Sequence, residues 1–96
     1  MRAFVDATEG LEAAGYCSTL RWAVTFANSA GQAATSETAE AVLDAIARAG
    51  VSDGVTRKAA TRLADVDGAV LGARAVAKAV AGKNPVELPP GRYEVV

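Results

Sequence analysis

The residues able to do chemistry in this chain are few. A single thiol, Cys17, sits between Tyr16 and Ser18, and the carboxylates of Asp44, Asp53, Asp65 and Asp67 are spread along the sequence. Histidine is absent. That removes the commonest general base, the commonest metal ligand and every Ser-His or Cys-His nucleophile pair. With no imidazole to activate it, Cys17 reads as a small packing residue on a strand. A metal ion needs several convergent ligands, and scattered carboxylates with no second Cys do not supply them, so no metal or cofactor site is expected. Asp65 and Asp67 could be imagined as an acid–base pair, but they stand where a helix begins and capping accounts for them. Gly68 and Gly72 match neither G-x-G-x-x-G nor the P-loop spacing, so close helix packing is the better reason for glycine there. Arg57, Lys58 and Arg62 form the one local basic cluster and read as a solvated face. No catalytic residue is assigned.

The elements that must position these side chains follow from periodicity. From Met1 to about Ala14, Phe4, Val5, Leu11 and Ala14 lie near helical spacing, while Gly10 weakens the pattern and Gly15 ends it, which predicts a short or broken helix. From Tyr16 to Asn28 the large residues Tyr16, Leu20, Trp22, Val24 and Phe26 alternate with Cys17, Thr19, Arg21, Ala23, Thr25 and Ala27, the period of a half-buried strand. The aromatic side is expected to face inward. Asn28-Ser29-Ala30-Gly31 is a turn signal, because Asn and Gly tolerate positive φ.

Gln32 to Gly50 supports two readings. As a helix it has Ser36 as N-cap, Glu37 and Glu40 at the positive end, Ala39, Val42, Leu43 and Ile46 as an apolar stripe, Arg48 at the negative end and Gly50 as terminator. As a strand it pairs with the first through the Asn28 to Gly31 turn, with Val42, Asp44 and Ile46 on one side and Ala41, Leu43 and Ala45 on the other. Local rules favour the helix. Val51 to Asp65 reads as an exposed connection with room for one edge strand. Asp65 or Asp67 then caps a helix over about 67–81, starting near Gly68, with Val70, Leu71, Ala77, Val80 and Ala81 as its buried stripe and Gly82 as terminator. Pro85, Pro89, Pro90 and Gly91 interrupt regular structure before Arg92 to Val96, which alternates like the start of a strand.

Composition sets the outer bounds. Ninety-six residues allow one domain or part of one, and although 51% are hydrophobic, 23 are alanine, whose methyl group removes little apolar area from water. The net charge of −1 gives no polybasic footprint for nucleic acid. No apolar run is long enough for a transmembrane helix, and neither a signal peptide nor a possible internal disulfide is visible, which together suggest a cytoplasmic protein.

Three stretches taken together resemble the TldD/PmbA family, the metallopeptidase-related proteins historically called modulators of DNA gyrase. They are Phe26-Ala27-Asn28-Ser29-Ala30-Gly31; Ser52-Asp53-Gly54 with Arg62-Leu63-Ala64-Asp65-Val66-Asp67; and Gly72-Ala73-Arg74-Ala75 leading to Leu88-Pro89-Pro90-Gly91-Arg92-Tyr93-Glu94-Val95-Val96. Their order and spacing are similar to the later part of that family's amino-terminal domain, especially in actinobacterial members, and cover nearly the whole chain. The resemblance implies an α+β fold in which 16–28 and 32–49 are the arms of a long antiparallel β-hairpin, reversing the local helix preference for the second arm. It implies that 1–96 is a single incomplete domain, lacking the family's start and cut where Val95-Val96 would continue into further strand. Catalytic relatives carry a His-Glu-x-x-x-His zinc motif and a Cys ligand in parts that this chain does not match, so neither zinc nor any catalytic residue carries over. The expected role is a non-catalytic scaffold segment of a peptidase acting on unfolded peptides. The partner would be a TldD/PmbA-type subunit or a second copy of the chain, not nucleic acid or membrane. A small interaction module pairing through an exposed hairpin edge is the alternative.

Overall fold

The computed structural model describes residues 1–95. Helix α1 (Arg2–Asp6) is followed by strands β1 (Glu12–Ala27), β2 (Ala33–Ala49) and β3 (Ser52–Ala60), a 3₁₀ turn over Leu63–Asp65, and helix α2 (Gly68–Ala81). The strands form one antiparallel sheet in the order β1-β2-β3, with the helices on one side, so the fold is mixed α+β. The first helix is short, as expected, and β1 begins at Glu12, four residues before the alternation becomes visible.

The segment with two readings is a strand. Each of its residues from Ala33 to Arg48 faces one in β1, from Ala27↔Ala33 at the turn to Glu12↔Arg48 at the far end. Two turns set this register. Asn28 donates its backbone N–H to Gln32 O (3.1 Å), its side-chain oxygen accepts from the N–H groups of Ala30 and Gln32 (both 3.1 Å), and Gly31 takes φ +82°. A short loop that ends on a left-handed glycine matches the right-handed twist of the flanking strands. The second reversal needs only Gly50 and Val51 between Ala49 and Ser52, with Gly50 at φ +68°. Gly50 at positive φ ends a helix or turns a hairpin equally well, which is why local rules favoured the wrong element there. β3 occupies the first half of the expected exposed connection and pairs with β2 from Ala49↔Ser52 to Ala41↔Ala60.

The register also defines the two faces of the sheet. Ala41, Leu43, Ala45, Ala47 and Ala49 of β2 are all buried and share a face with Gly54 and Thr56 of β3. Helix α2 lies on this face, and the core is formed by Phe4, Leu43, Ala45, Ala47, Leu71 and Ala75, with Val66 and Val76 packed against it. Small residues set the spacing. A Cβ on Gly54 would lie 1.8 Å from the carbonyl oxygen of Ala75, so the backbones of β3 and α2 touch where that glycine sits. Gly68 and Gly72 do the same for α1: a Cβ on Gly72 would lie 2.7 Å from Phe4 O. Close packing is thus the role of this glycine pair.

Helix α2 begins as expected at Asp67, whose Oδ1 accepts from the N–H groups of Ala69 (2.9 Å) and Val70 (3.1 Å), a cap worth about 1 kcal/mol. Asp65 does not cap the helix; it pairs with Arg62. The buried stripe differs from the expected one. Gly68, Leu71, Gly72, Ala75 and Ala79 face inward, whereas Val70, Ala77, Val80 and Ala81 are exposed. The helix lies so near the sheet that, apart from Leu71, its buried positions are glycine and alanine, and Val70 and Val80 turn outward. After Gly82 the chain has no regular structure as far as Val95, although Tyr93 donates its hydroxyl to Pro89 O (2.5 Å). The expected strand over 92–96 is therefore not seen from Arg92 to Val95, which meet no neighbouring strand, and Val96 lies outside the described residues.

Candidate functional site

The side of β1 expected to be inside is outside. Tyr16, Leu20, Val24 and Phe26 are each more than half exposed and Trp22 is 38% exposed, while Cys17 on the other side is half-buried opposite Leu43. The helices are too short to cover both sides of the sheet, and they cover the side rich in alanine. The aromatic side faces solvent together with Val42, Ile46 and Val55, and a shallow depression there is lined by Ala14, Tyr16, Ile46 and Val55.

Beyond about Ser18 and Ala41 the β1–β2 hairpin leaves the helix-backed body as a free arm. Every residue of Ala33–Glu40 is exposed, as is every residue of Ser18–Ala27. The molecule measures 63 × 38 × 17 Å with a radius of gyration of 19.8 Å, against about 13 Å for a compact domain of this length. The arm has two unlike sides. One carries Leu20, Trp22, Val24 and Phe26 in a row on β1, flanked on β2 by Glu40 opposite Leu20 and by the smaller Thr38, Ser36 and Ala34. The opposite side carries an Arg21–Glu37 ion pair at 2.6 Å and a Thr25–Thr35 hydroxyl hydrogen bond at 3.2 Å. The outer edge of β1 pairs with no other strand among the described residues.

The charged residues singled out in the sequence do not converge. Strand alternation puts Arg57 on the open face and Lys58 on the helix-covered one, and Arg62 pairs with Asp65 at 3.1 Å, so the basic cluster is separated by the fold. On the open face Arg57 donates from Nε to Asp44 (2.8 Å), and Arg48 makes a two-pronged contact to Asp53 at 2.7 and 3.0 Å. No three metal-ligating side chains come together among the described residues. The Arg48 hydrogen bonds hold the Asp53 carboxyl below its ordinary value of 3.8, more than partial desolvation raises it. The stability this pair contributes is present above that value and is lost as pH falls through the lower folded one. Urea midpoints measured from neutral pH down to strong acid should show this loss, and Asp53→Asn should flatten the acid limb of the profile, with salt weakening the whole effect.

The architecture is that of a two-layer α+β unit with one sheet face covered by helix and the other, extended by the arm, uncovered. No family model, curated protein or solved structure matches the chain. Sequence periodicity located the residues of the open face but assigned them to the wrong side. The signal that could have corrected it lies in β2, where the alternating set Ala41, Leu43, Ala45, Ala47 and Ala49 has the small volume that a tightly docked helix demands.

Proposed function

We propose that this chain is a TldD/PmbA-related scaffold element, non-catalytic by itself, whose arm and helix-backed sheet contribute to an assembly of the kind that acts on unfolded peptides. The observation that carries the reading is the state of 32–49. Local propensity makes this segment a helix, the family resemblance makes it the second arm of a hairpin, and Ala33–Ala49 is a strand paired with β1 from Ala33 to Arg48. Two further features support it. Histidine is missing from the sequence, so a zinc centre would have to come from a partner carrying the His-Glu-x-x-x-His motif. An uncovered apolar sheet face also belongs to a piece that is completed by something else. On this reading the protein is cytoplasmic. No helix among the described residues is long and apolar enough to cross a membrane.

The test is proteolysis of an unstructured peptide in the presence of zinc. The purified chain should be inactive alone and should co-purify with a co-expressed TldD/PmbA-type subunit. Robust, chelator-sensitive turnover by the chain alone would overturn the reading. The free outer edge of β1 favours a second reading, a small interaction module that extends its sheet with a partner's strand.

A further inference from the structure

We propose that the cleft between β3 and α2 is a binding site for a phosphate-type oxyanion, formed by Thr56, Arg74, Lys78 and the main chain at Arg57. A buried hydroxyl carries the proposal. Thr56 is 4% exposed, and its Oγ1 is buried with no hydrogen-bond partner among the described residues. Valine would fill the same volume at such a strand position without cost, whereas a hydroxyl removed from water and given no partner is destabilising. The side chain stands on the helix-covered side of β3, and it is the buried member of a pocket of about 140 Å³ whose other lining residues are the exposed Arg57, Arg74 and Lys78. That volume is several times the about 30 Å³ that one water takes up in the liquid, so a tetrahedral oxyanion fits.

The rest of the lining donates and does not accept. None of the four residues is acidic. Arg74 makes no ion pair among the described residues, and Lys78 gives one N–H to Val55 O (2.8 Å) and keeps two. Arg57 sends its guanidinium to Asp44 on the open face, so it turns its main chain to the pocket. The Lys78 contact shows that the carbonyl of Val55 points to the outer edge of β3, and in an antiparallel ladder the N–H of Arg57 points the same way. A hydroxyl, an amide, an ammonium and a guanidinium thus meet where α2 packs on β3.

Charge selects the ligand class. Arg74 and Lys78 are four residues apart on one helix, a spacing at which like charges repel, and an anion between them converts that repulsion into attraction. With Arg57 neutralised by Asp44, two positive charges remain, which match the dianion of phosphate or of a phosphate monoester. A carboxylate would balance only one of them and has fewer oxygens to offer four donors.

Titration of the full chain with inorganic phosphate at mildly alkaline pH, followed by amide chemical shifts and referenced to chloride at equal ionic strength, tests the proposal. Saturable shifts are expected at Thr56, Arg57, Arg74 and Lys78. Arg74→Gln and Lys78→Gln should each weaken binding at least fivefold, while Arg21→Gln on the arm should leave it unchanged. Thr56→Val should melt no lower than the parent in phosphate-free buffer and bind phosphate several-fold more weakly; Thr56→Ser, which keeps the hydroxyl, should bind as the parent does. A parallel titration with phenyl phosphate distinguishes the source, since the tighter of the two ligands identifies a free ion or an ester. Shifts that do not saturate and match those in chloride overturn the proposal, as does binding insensitive to Arg74→Gln and Lys78→Gln, or acetate binding as tightly as phosphate. Loss of stability in phosphate-free Thr56→Val also overturns it, because the hydroxyl would then have a partner inside the protein.

Discussion

Gly54→Ala is expected to destabilise the protein nearly as much as Gly54→Val, by about 3 kcal/mol in each case. The usual ranking, in which alanine is the mild substitution, fails here because the obstacle is met by the first carbon. A Cβ at 54 would stand 1.8 Å from Ala75 O, 2.8 Å from Ala75 C and 2.7 Å from Ala79 N, all of them backbone atoms of α2 that no side-chain rotation can move away. The helix must lift from the sheet, and the lift opens the contact of Ala75 and Leu71 with Ala45, Ala47 and Leu43. A domain of this size holds about 5–15 kcal/mol in total, so the loss is a large share of its stability. Urea unfolding followed by far-ultraviolet circular dichroism measures it directly. A shift under about 0.5 kcal/mol, the size of an ordinary surface substitution, would show that β3 and α2 do not touch at this point.

Phe4→Ala is expected to cost about 4 kcal/mol, and Phe26→Ala almost nothing in the monomer. Both are phenylalanines in a chain that has only two, which makes the comparison internal. Phe4 is 0% exposed and is the largest fully buried side chain, closing the core between α1 and α2 on one side and Leu43 on the other. Its removal leaves a cavity that the rigid backbone contacts at Gly68 and Gly72 keep from collapsing. Phe26 is 55% exposed near the end of the arm and has little transfer free energy to lose. The measurement belongs at low protein concentration, where self-association does not contribute. Equal losses for the two variants would place the aromatic side of β1 inside the protein and contradict the arrangement of the faces.

These two expectations could not have been drawn from the sequence, and the reason differs between them. Phe4 lies in a weakly periodic stretch interrupted by Gly10, and its burial depends on α2, more than sixty residues later. Gly54 stands in a Ser-Asp-Gly triplet that reads as a turn; its place inside β3 follows only from pairing with β2. The candidate site was legible in a different sense. The alternation from Tyr16 to Phe26 identified a strand with one apolar side, and that strand exists. Alternation states that two sides differ, but a helix covers whichever side lets it approach, and alanine on β2 outcompeted bulk on β1.

What the chain's local order determined by itself is everything closed within a few residues. The Asn28 to Gly31 reversal, the Asp67 cap, the short first helix and the end of α2 near Gly82 each satisfy their backbone groups from neighbours in sequence, so neighbouring residue types suffice to place them. Tertiary structure decided the state of Ala33–Ala49 and the orientation of the sheet. The local preferences of this alanine-rich segment lean to helix, and sixteen paired positions along β1 outweigh them. Whether an apolar face is wet is likewise no property of the strand that carries it, since burial depends on distant elements arriving to exclude the water.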